Sequence, residues 1–265
     1  MSNFDKRKAF GQHFLTDITV INGIVSESVS AVSRHEGHAL LEIGPGKGAI
    51  TRPLLTALPI EKKFFVAERD RELIQFWKPE SRITQLLDGD FLDQSEETLQ
   101  SLGKFVVVSN LPYSAGTAIV VKLCEHKNQI PEMILMFQAE VAKRLYAEAS
   151  TPDRGSLSLY IQNEWDVKRL LVVKPDAFNP PPKVMSEVVT LKRREKAHIE
   201  LPDEAARVKW NQLLKTAFLH RRKMLRVNFT GTHWKAALEK SGVAPTLRAE
   251  ALEWKDWIAL WQNSL

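Results

Sequence analysis

The strongest constraint on the fold is a regular alternation of short apolar runs with helical patterns over the first 150 residues. Ala39-Leu40-Leu41-Glu42-Ile43, Lys63 to Ala67, Ile83 to Leu87, Phe105 to Ser109 and Met133 to Phe137 are each five residues long. Runs of that length, flanked by Gly, Asp and Pro, read as strands. Between them, helices are predicted over 50–58, 71–77, 95–102 and 116–125. A helix over 139–149 follows the last strand, and a longer one precedes the first. The longer one is capped by Thr16 or Asp17, runs to about Ser33, and carries Val20, Ile21, Ile24, Val25 and Val29 along one face. Such alternation predicts an α/β fold: a parallel sheet with helices on both faces. Ligands of these sheets bind beyond the carboxyl ends of the strands. Here those ends are Gly44-Pro45-Gly46, Glu68, Asp90 and Asn110-Leu111-Pro112-Tyr113, four distinctive endings expected on one edge.

The pattern changes after residue 150. A helix is predicted over 156–165, then β-like stretches at 170–173 and 184–192. The segment Phe178-Asn179-Pro180-Pro181-Pro182-Lys183 between them is read as a rigid extended loop, because three prolines fix φ and offer no ladder donor. From about residue 195 only helices are predicted, over 204–229, 232–241 and 247–263. Residues 222 and 226 then share a face of the first of these. The charge distribution changes at the same point. Residues 1–190 hold 22 Lys and Arg against 24 Asp and Glu, and residues 191–265 hold 15 against 8. A basic excess confined to one end points to a polyanionic partner.

Several classes are disfavoured. A single cysteine, Cys124, leaves no disulfide framework or cysteine metal cluster. The seven histidines show no metal-ligand spacing, so no metal is expected. No apolar run is long enough to span a bilayer, and Met1 to Lys8 lacks a secretory apolar core. A protein of the cytoplasm with no membrane partner is expected. Trp254, Trp257 and Trp261, at i, i+3 and i+7, are read as the core stripe of the last helix.

The chemistry is carried by the strand ends. Gly44, Gly46 and Gly48 permit a sharp turn and a close ligand approach, and Gly44-x-Gly46-x-x-Ala49 satisfies a loose dinucleotide fingerprint. Lys47 does not sit in a Walker setting. Glu68, 24 residues after Gly44, suits the ribose hydroxyls of either a nicotinamide dinucleotide or S-adenosylmethionine. Asp90 offers an acceptor for an adenine amine or, equally, a helix cap. The tetrapeptide Asn110 to Tyr113 separates these cofactors. An aromatic amine such as adenine N6 is a poor nucleophile because its lone pair is delocalised. The Asn110 amide oxygen and the Leu111 carbonyl, fixed by Pro112, can hold its N–H bonds out of conjugation while Tyr113 stacks on the base. Hydride transfer needs no such arrangement.

With these residues in place, the chain resembles the ribosomal RNA adenine N6,N6-dimethyltransferases of the KsgA/Dim1 family almost end to end. The resemblance rests on Gly11-Gln12-His13-Phe14-Leu15, Leu41 to Gly46, Asp88-Gly89-Asp90-Phe91, Asn110 to Tyr113, and Phe178-x-Pro180-Pro181-Pro182-Lys183-Val184-x-Ser186. Ala217-Phe218-x-x-Arg221-Arg222-Lys223-x-Leu225 and Arg248-Ala249-Glu250 extend it towards the C-terminus. It implies a Rossmann-like class I methyltransferase domain, taken as residues 1–195, and a small all-α RNA-recognition domain, 196–265. It also implies S-adenosylmethionine contacts at His13, Leu15, Gly44, Gly46, Glu68, Asp90 and Asn110. The target base is expected among Asn110, Leu111, Pro112, Tyr113 and Phe178. Phosphate contacts are expected from Lys6, Arg7, Lys8, Lys183, Arg221, Arg222, Lys223 and Arg226. The implied substrate is two adjacent adenines in a hairpin near the 3′ end of small-subunit rRNA, within a partly assembled 30S-like particle, and a monomeric enzyme is expected. His13 stands where many members have Asn, and Met185 where the loop usually has Asp. An Erm-type methyltransferase of large-subunit rRNA, a non-catalytic binding role on the same scaffold and an NAD-dependent dehydrogenase are the competing readings.

Overall fold

The computed structural model describes residues 13–264. The chain forms two compact units. One runs through Ala142 and resumes over Val167–Arg193; the other takes Lys143–Asp166 and Arg194 onwards. The chain thus passes between the units after Ala142, Asp166 and Arg193. The segment 143–166, expected in the first domain, belongs to the second unit instead. Leu159 and Tyr160 of its helix Ser156–Gln162 pack into that unit's core, against such residues as Trp210, Leu213 and Trp257.

The first unit is built on strands β2 (Ala39–Ile43), β3 (Phe64–Glu68), β4 (Gln85–Asp88), β5 (Phe105–Asn110), β6 (Glu132–Gln138), β7 (Trp165–Val173) and β9 (Ser186–Arg193). They form one sheet in the order β4-β3-β2-β5-β6-β9-β7. The first five are parallel, and β9 pairs antiparallel with β6, with Gln138 opposite Ser186. Every residue of β2 and β3 is buried, as expected of parallel strands covered on both faces. The chain steps from β2 outwards to β3 and β4, then returns across β2 to β5 and β6. The order therefore reverses between β2 and β5, and their carboxyl ends open a crevice there.

A two-stranded antiparallel ribbon accompanies the sheet. β1 (Phe14–Leu15) pairs with β8 (Phe178–Asn179), placing Phe14 opposite Asn179 and Leu15 opposite Phe178. The helix Ile18–Arg34 begins directly after β1. The Asp17 carboxylate caps it, accepting from Thr19 N at 2.8 Å and Val20 N at 3.1 Å, a contribution of about 1 kcal/mol. Ile21, Ile24, Val25, Ala31 and Val32 bury its inner face.

The second unit is helical except where β7 begins. The helix predicted to reach 165 stops at Gln162, because the Asn163 side chain bonds both backbone groups of Ile199. The predicted helix 204–229 is two helices, Glu204–Ala217 and Leu225–Asn228. Asn228 Nδ2 donates to the Ala217 carbonyl at 2.6 Å, and Arg221 Nη2 donates to the carbonyls of Pro152 and Arg154, so 218–224 is held as a turn. Arg222 and Arg226 therefore do not share a face of one helix. The last helix is Trp254–Gln262. Trp257 and Trp261 each lie edge-on to Trp210 at 6.0 Å in the core, and Trp254 stacks on His198 at 4.0 Å. Among the described residues no helix is long and apolar enough to cross a membrane.

Candidate active site

A cavity of about 710 Å³ lies at the carboxyl ends of β2 to β5, and all its lining residues belong to the first unit. Its floor is the glycine loop. Gly44 has φ +70° and Gly46 +55°, left-handed values that favour glycine. A Cβ added at Gly44 would meet nothing within 4 Å, so the backbone there faces open space. Gly48 serves packing instead: at φ +93° its missing Cβ would come within 2.8 Å of the Trp77 ring. Trp77 Nε1 in turn donates to the Gly46 carbonyl at 2.9 Å and braces the loop.

Three carboxylates from neighbouring strands line the cavity. Glu68, the last residue of β3, is buried. Its Oε1 accepts from the backbone N–H groups of Arg69 (2.8 Å) and Asp70 (2.9 Å), and its Oε2 from Gly46 N at 3.3 Å. Burial pushes its carboxyl above the ordinary range, and these N–H donors pull the other way. Asp90 caps the short turn Phe91–Asp93, accepting from Leu92 N at 3.0 Å, while its Oδ2 faces Arg69 at 3.4 Å. The cap thus uses Oδ1 alone, and the oxygen that faces Arg69 is Oδ2. Glu42, in the middle of β2, is 2% exposed, and its Oε2 has no hydrogen-bond partner among the described residues. Burial pushes its carboxyl up to about 8, tempered by the Thr51 hydroxyl and reinforced by the charge of Glu68.

Asn110 closes β5 in register with Met136, and the chain then turns into the helix Gly116–Glu125. The Pro112 carbonyl accepts from Ala115 N and Gly116 N, which fixes the turn. Asn110, Leu111, Pro112 and Tyr113 all line the cavity. So do His13, Leu15 and Phe178, brought there by the β1–β8 ribbon. Phe178 is 3% exposed and also packs into the core of the sheet's helix-covered face. The ribbon is anchored at one carbonyl: Ala177 O accepts from Thr16 N (2.8 Å), Thr16 Oγ1 (3.1 Å) and Asp17 N (3.2 Å). Phe14 lies beside Gly46, and the Lys47 ammonium sits 4.7 Å from its ring centre.

The structure thus gathers every expected cofactor and base-contacting residue around one cavity. The expected RNA contacts are distributed differently. Lys6, Arg7 and Lys8 lie outside the described residues. Lys183 is exposed on the loop before β9, and Arg222, Lys223 and Arg226 are exposed in the second unit. Arg221, although exposed, donates to the carbonyls of Pro152 and Arg154 within its own unit. Among the described residues no group of three or more His, Cys, Asp or Glu is placed to hold a metal ion.

Two further residues of the site stand inside the sequence motifs without being marked by them. Glu42 is legible as a lone carboxylate inside a five-residue apolar strand, a position that demands a reason. Ser186, whose Oγ lies 2.7 Å from the Tyr113 hydroxyl, leaves no such signal, because the sequence does not say that the start of β9 comes within reach of the Tyr113 side chain.

Comparison with known proteins identifies the family. The family profile described as ribosomal RNA adenine dimethylase matches residues 3–263. The Ribosomal RNA small subunit methyltransferase A of Chromobacterium violaceum is 39% identical over 267 residues, covering 98% of this chain and 96% of its own. That of Thiobacillus denitrificans is 39% identical, covering 96% of each. Among solved structures, a dimethyladenosine transferase from Plasmodium falciparum superposes with a TM-score of 0.69 at 21% identity, covering 94% of this chain and 96% of that one. The 23S rRNA methyltransferase ErmE gives 0.65 at 21%, covering 94% and 98%. These two share the fold. With the profile spanning nearly the whole chain and relatives at 39% identity over nearly all of it, the chain belongs to the ribosomal RNA adenine dimethylase family.

Proposed function

We propose that this protein transfers methyl groups from S-adenosylmethionine to the N6 amines of two adjacent adenosines in a hairpin near the 3′ end of small-subunit rRNA. The observation that carries the reading is the convergence of Asn110, Leu111, Pro112 and Tyr113 with Glu68, Asp90 and the glycine loop on one cavity. The donor set suits this cofactor. Glu68 offers ribose acceptors, Asp90 an acceptor for an adenine amine, Gly44 an open backbone, and Glu42 a buried oxygen without a partner among the described residues. His13, Leu15, Gly46 and Asn110 complete its surroundings. When bound, S-adenosylmethionine supplies a methyl group activated by a sulfonium.

The protein's own residues prepare the amine. The Asn110 amide oxygen and the Leu111 carbonyl accept the N–H bonds of N6, two in the first transfer and one in the second, and draw its lone pair out of conjugation with the ring. Tyr113 holds the flipped base by one face, offsetting part of the few kcal/mol that unstacking costs, and Phe178, packed in the core, forms the cavity wall against which the base is held. With S-adenosylmethionine bound, the new N–C bond would form as the methyl's bond to sulfur breaks, S-adenosylhomocysteine would leave, and a proton would pass to water from the amine nitrogen. Its proton becomes acidic only after that bond exists, so a strong general base is not required and positioning supplies the catalysis. Lys6, Arg7, Lys8, Lys183, Arg222 and Lys223 bind phosphates, while Arg221 shapes the turn that presents its neighbours. The enzyme acts as a monomer, in the cytoplasm, on a partly assembled 30S-like particle. The names of the relatives favour the small subunit over the large.

The test is methylation of undermethylated small subunits with labelled S-adenosylmethionine, followed by nucleoside mapping. Dimethyladenosine at two adjacent small-subunit positions is expected, and product confined to large-subunit rRNA overturns the assignment. Naked rRNA run in parallel distinguishes RNA from particle as substrate.

A further inference from the structure

Tyr113 is held at more than one point, and its strongest tether is a residue to which no role has been given. Its hydroxyl lies 2.7 Å from Ser186 Oγ. Ser186 is the first residue of β9, fully buried, and is set in place by its pairing with Gln138 and by the bond from Ala139 N to the Met185 carbonyl at 2.9 Å. Further along β9, Val188, Val189 and Leu191 fill the core. A hydroxyl at the head of such a strand costs free energy unless it is paired, and its partner here is a cavity-lining side chain rather than a backbone group. The Tyr113 ring is also flanked by His13, with ring centres 5.7 Å apart and planes tilted by 33°. His13 is tied in turn to the Pro180 carbonyl, to which its Nδ1–H donates at 2.7 Å.

We propose that Ser186 is a positioning residue for methyl transfer, its hydroxyl fixing the plane of the Tyr113 ring against which the target adenine stacks. A half-buried tyrosine without this bond is free to rotate about χ1 and χ2, and its face then meets the base only in a fraction of encounters. With the bond, the platform stands ready before RNA arrives, and no rotamer freedom is lost when the base enters. Burial keeps the phenol protonated, so the O–H···O pair persists across the working pH range. The His13 contact supports the ring from the residue just before β1. The inference rests on the reading of Tyr113 as the stacking residue, and the experiment separates the two.

Single-turnover kinetics on undermethylated small subunits would compare the wild type with Tyr113→Ala, Tyr113→Phe, Ser186→Ala and the Tyr113→Phe/Ser186→Ala pair. Calorimetric S-adenosylmethionine affinity and a melting curve accompany each. Tyr113→Phe keeps the stacking ring and loses only the hydroxyl. Tyr113→Phe and Ser186→Ala are each expected to lower kcat/KM for the RNA about fivefold to tenfold, as loss of one buried hydrogen bond predicts. The double variant should fall no further than the worse single variant, with cofactor affinity unchanged. A purely structural role for Ser186 would instead shift the melting curve and multiply with Tyr113→Phe. Multiplicative losses, or wild-type kinetics in Tyr113→Phe or Ser186→Ala, overturn the proposal. If Ser186→Ala fails to fold, Tyr113→Phe breaks the same bond from the exposed side and decides the matter alone. Wild-type kinetics in Tyr113→Ala sinks the stacking reading itself, whereas loss there with independent Tyr113→Phe and Ser186→Ala effects refutes only the role of Ser186.

Discussion

Replacing Glu42 by glutamine should shift stability relative to the wild type by an amount that becomes more favourable as pH rises. In the folded chain the Glu42 carboxyl titrates near 8 against an ordinary 4.5, because burial penalises the anion. Between those values the folded state holds a proton that the unfolded chain has released, so the slope of stability with pH is negative. The sign is opposite to that of a salt-bridged acid. The favourable contribution of neutral Glu42 is fully present below pH 4.5 and fades as pH rises towards 8. At about 1.4 kcal/mol per pH unit, the loss amounts to roughly 3 kcal/mol at pH 7 and about 5 kcal/mol above pH 8.

The amide of the Glu42→Gln variant has no such dependence. Whatever fixed cost or gain it brings, the difference in stability between variant and wild type should widen by about 3 kcal/mol from roughly pH 4.5 to pH 7. Titrating groups that do not interact with Glu42 cancel in that difference, and Glu68, whose charge acts on Glu42, adds only a smaller contribution. Urea melts of the two proteins at half-unit steps from about pH 4.5 to 8.5 measure it directly. A difference that stays flat across this range would falsify the assignment of Glu42 as a buried neutral acid. Flatness would mean that the carboxylate is charged in the fold and has a partner that the geometry does not show.

Other expectations follow from the same coordinates. Asn110→Ala should lower turnover by about 10²- to 10³-fold through loss of an acceptor on the reacting amine, with S-adenosylmethionine affinity only modestly reduced; wild-type turnover would sink the proposed chemistry. Gly48→Ala, at φ +93° and 2.8 Å from the Trp77 ring, should destabilise the fold by about 1–3 kcal/mol in urea melts and weaken cofactor binding. Gly103→Ala, at φ +74° with nothing within 4 Å, bears the conformational cost alone and should lose less. Arg221→Ala should cost about 1–3 kcal/mol of stability by freeing two carbonyls, whereas Arg222→Ala and Lys223→Ala should leave melting unchanged and reduce the salt slope of RNA binding by about one each.

How much of this is legible in the sequence depends on the range of the interaction involved. The five parallel strands and the helices between them follow from local periodicity, and their boundaries shift by a residue or two. The strand order is not written locally, yet the strand endings are, and a parallel sheet leaves those endings only one edge to meet on. That is why Glu68, Asp90 and the Asn110 turn are recognisable as a set before their geometry is known. The second unit behaves differently. Its long predicted helix breaks at 218–224 because Arg221 reaches carbonyls of residues 152 and 154, a contact spanning nearly 70 residues that no window of periodicity contains. The reassignment of 143–166 has the same origin, since Leu159 is apolar in either unit and only packing decides which core it enters.

The most consequential difference concerns the charges rather than the elements. In a basic run such as Arg221-Arg222-Lys223, composition assigns all three residues the same partner. The structure divides them: an arginine with donors in a fixed fork can bridge two backbone carbonyls, and Arg221 does so, while its neighbours remain exposed. A guanidinium committed to carbonyls keeps its charge and still contributes to the long-range field that draws RNA in. It can no longer follow a phosphate without releasing the 152–154 turn. Mutating it therefore mixes a loss of stability with a loss of binding, and only the exposed pair reports on RNA alone. The same reasoning applies within the active site, where Asp90 divides its oxygens between a cap and Arg69. A residue read from sequence as a ligand contact is also part of the scaffold that holds the contact in place, and the hydrogen bonds it already makes limit how far it can move towards the ligand.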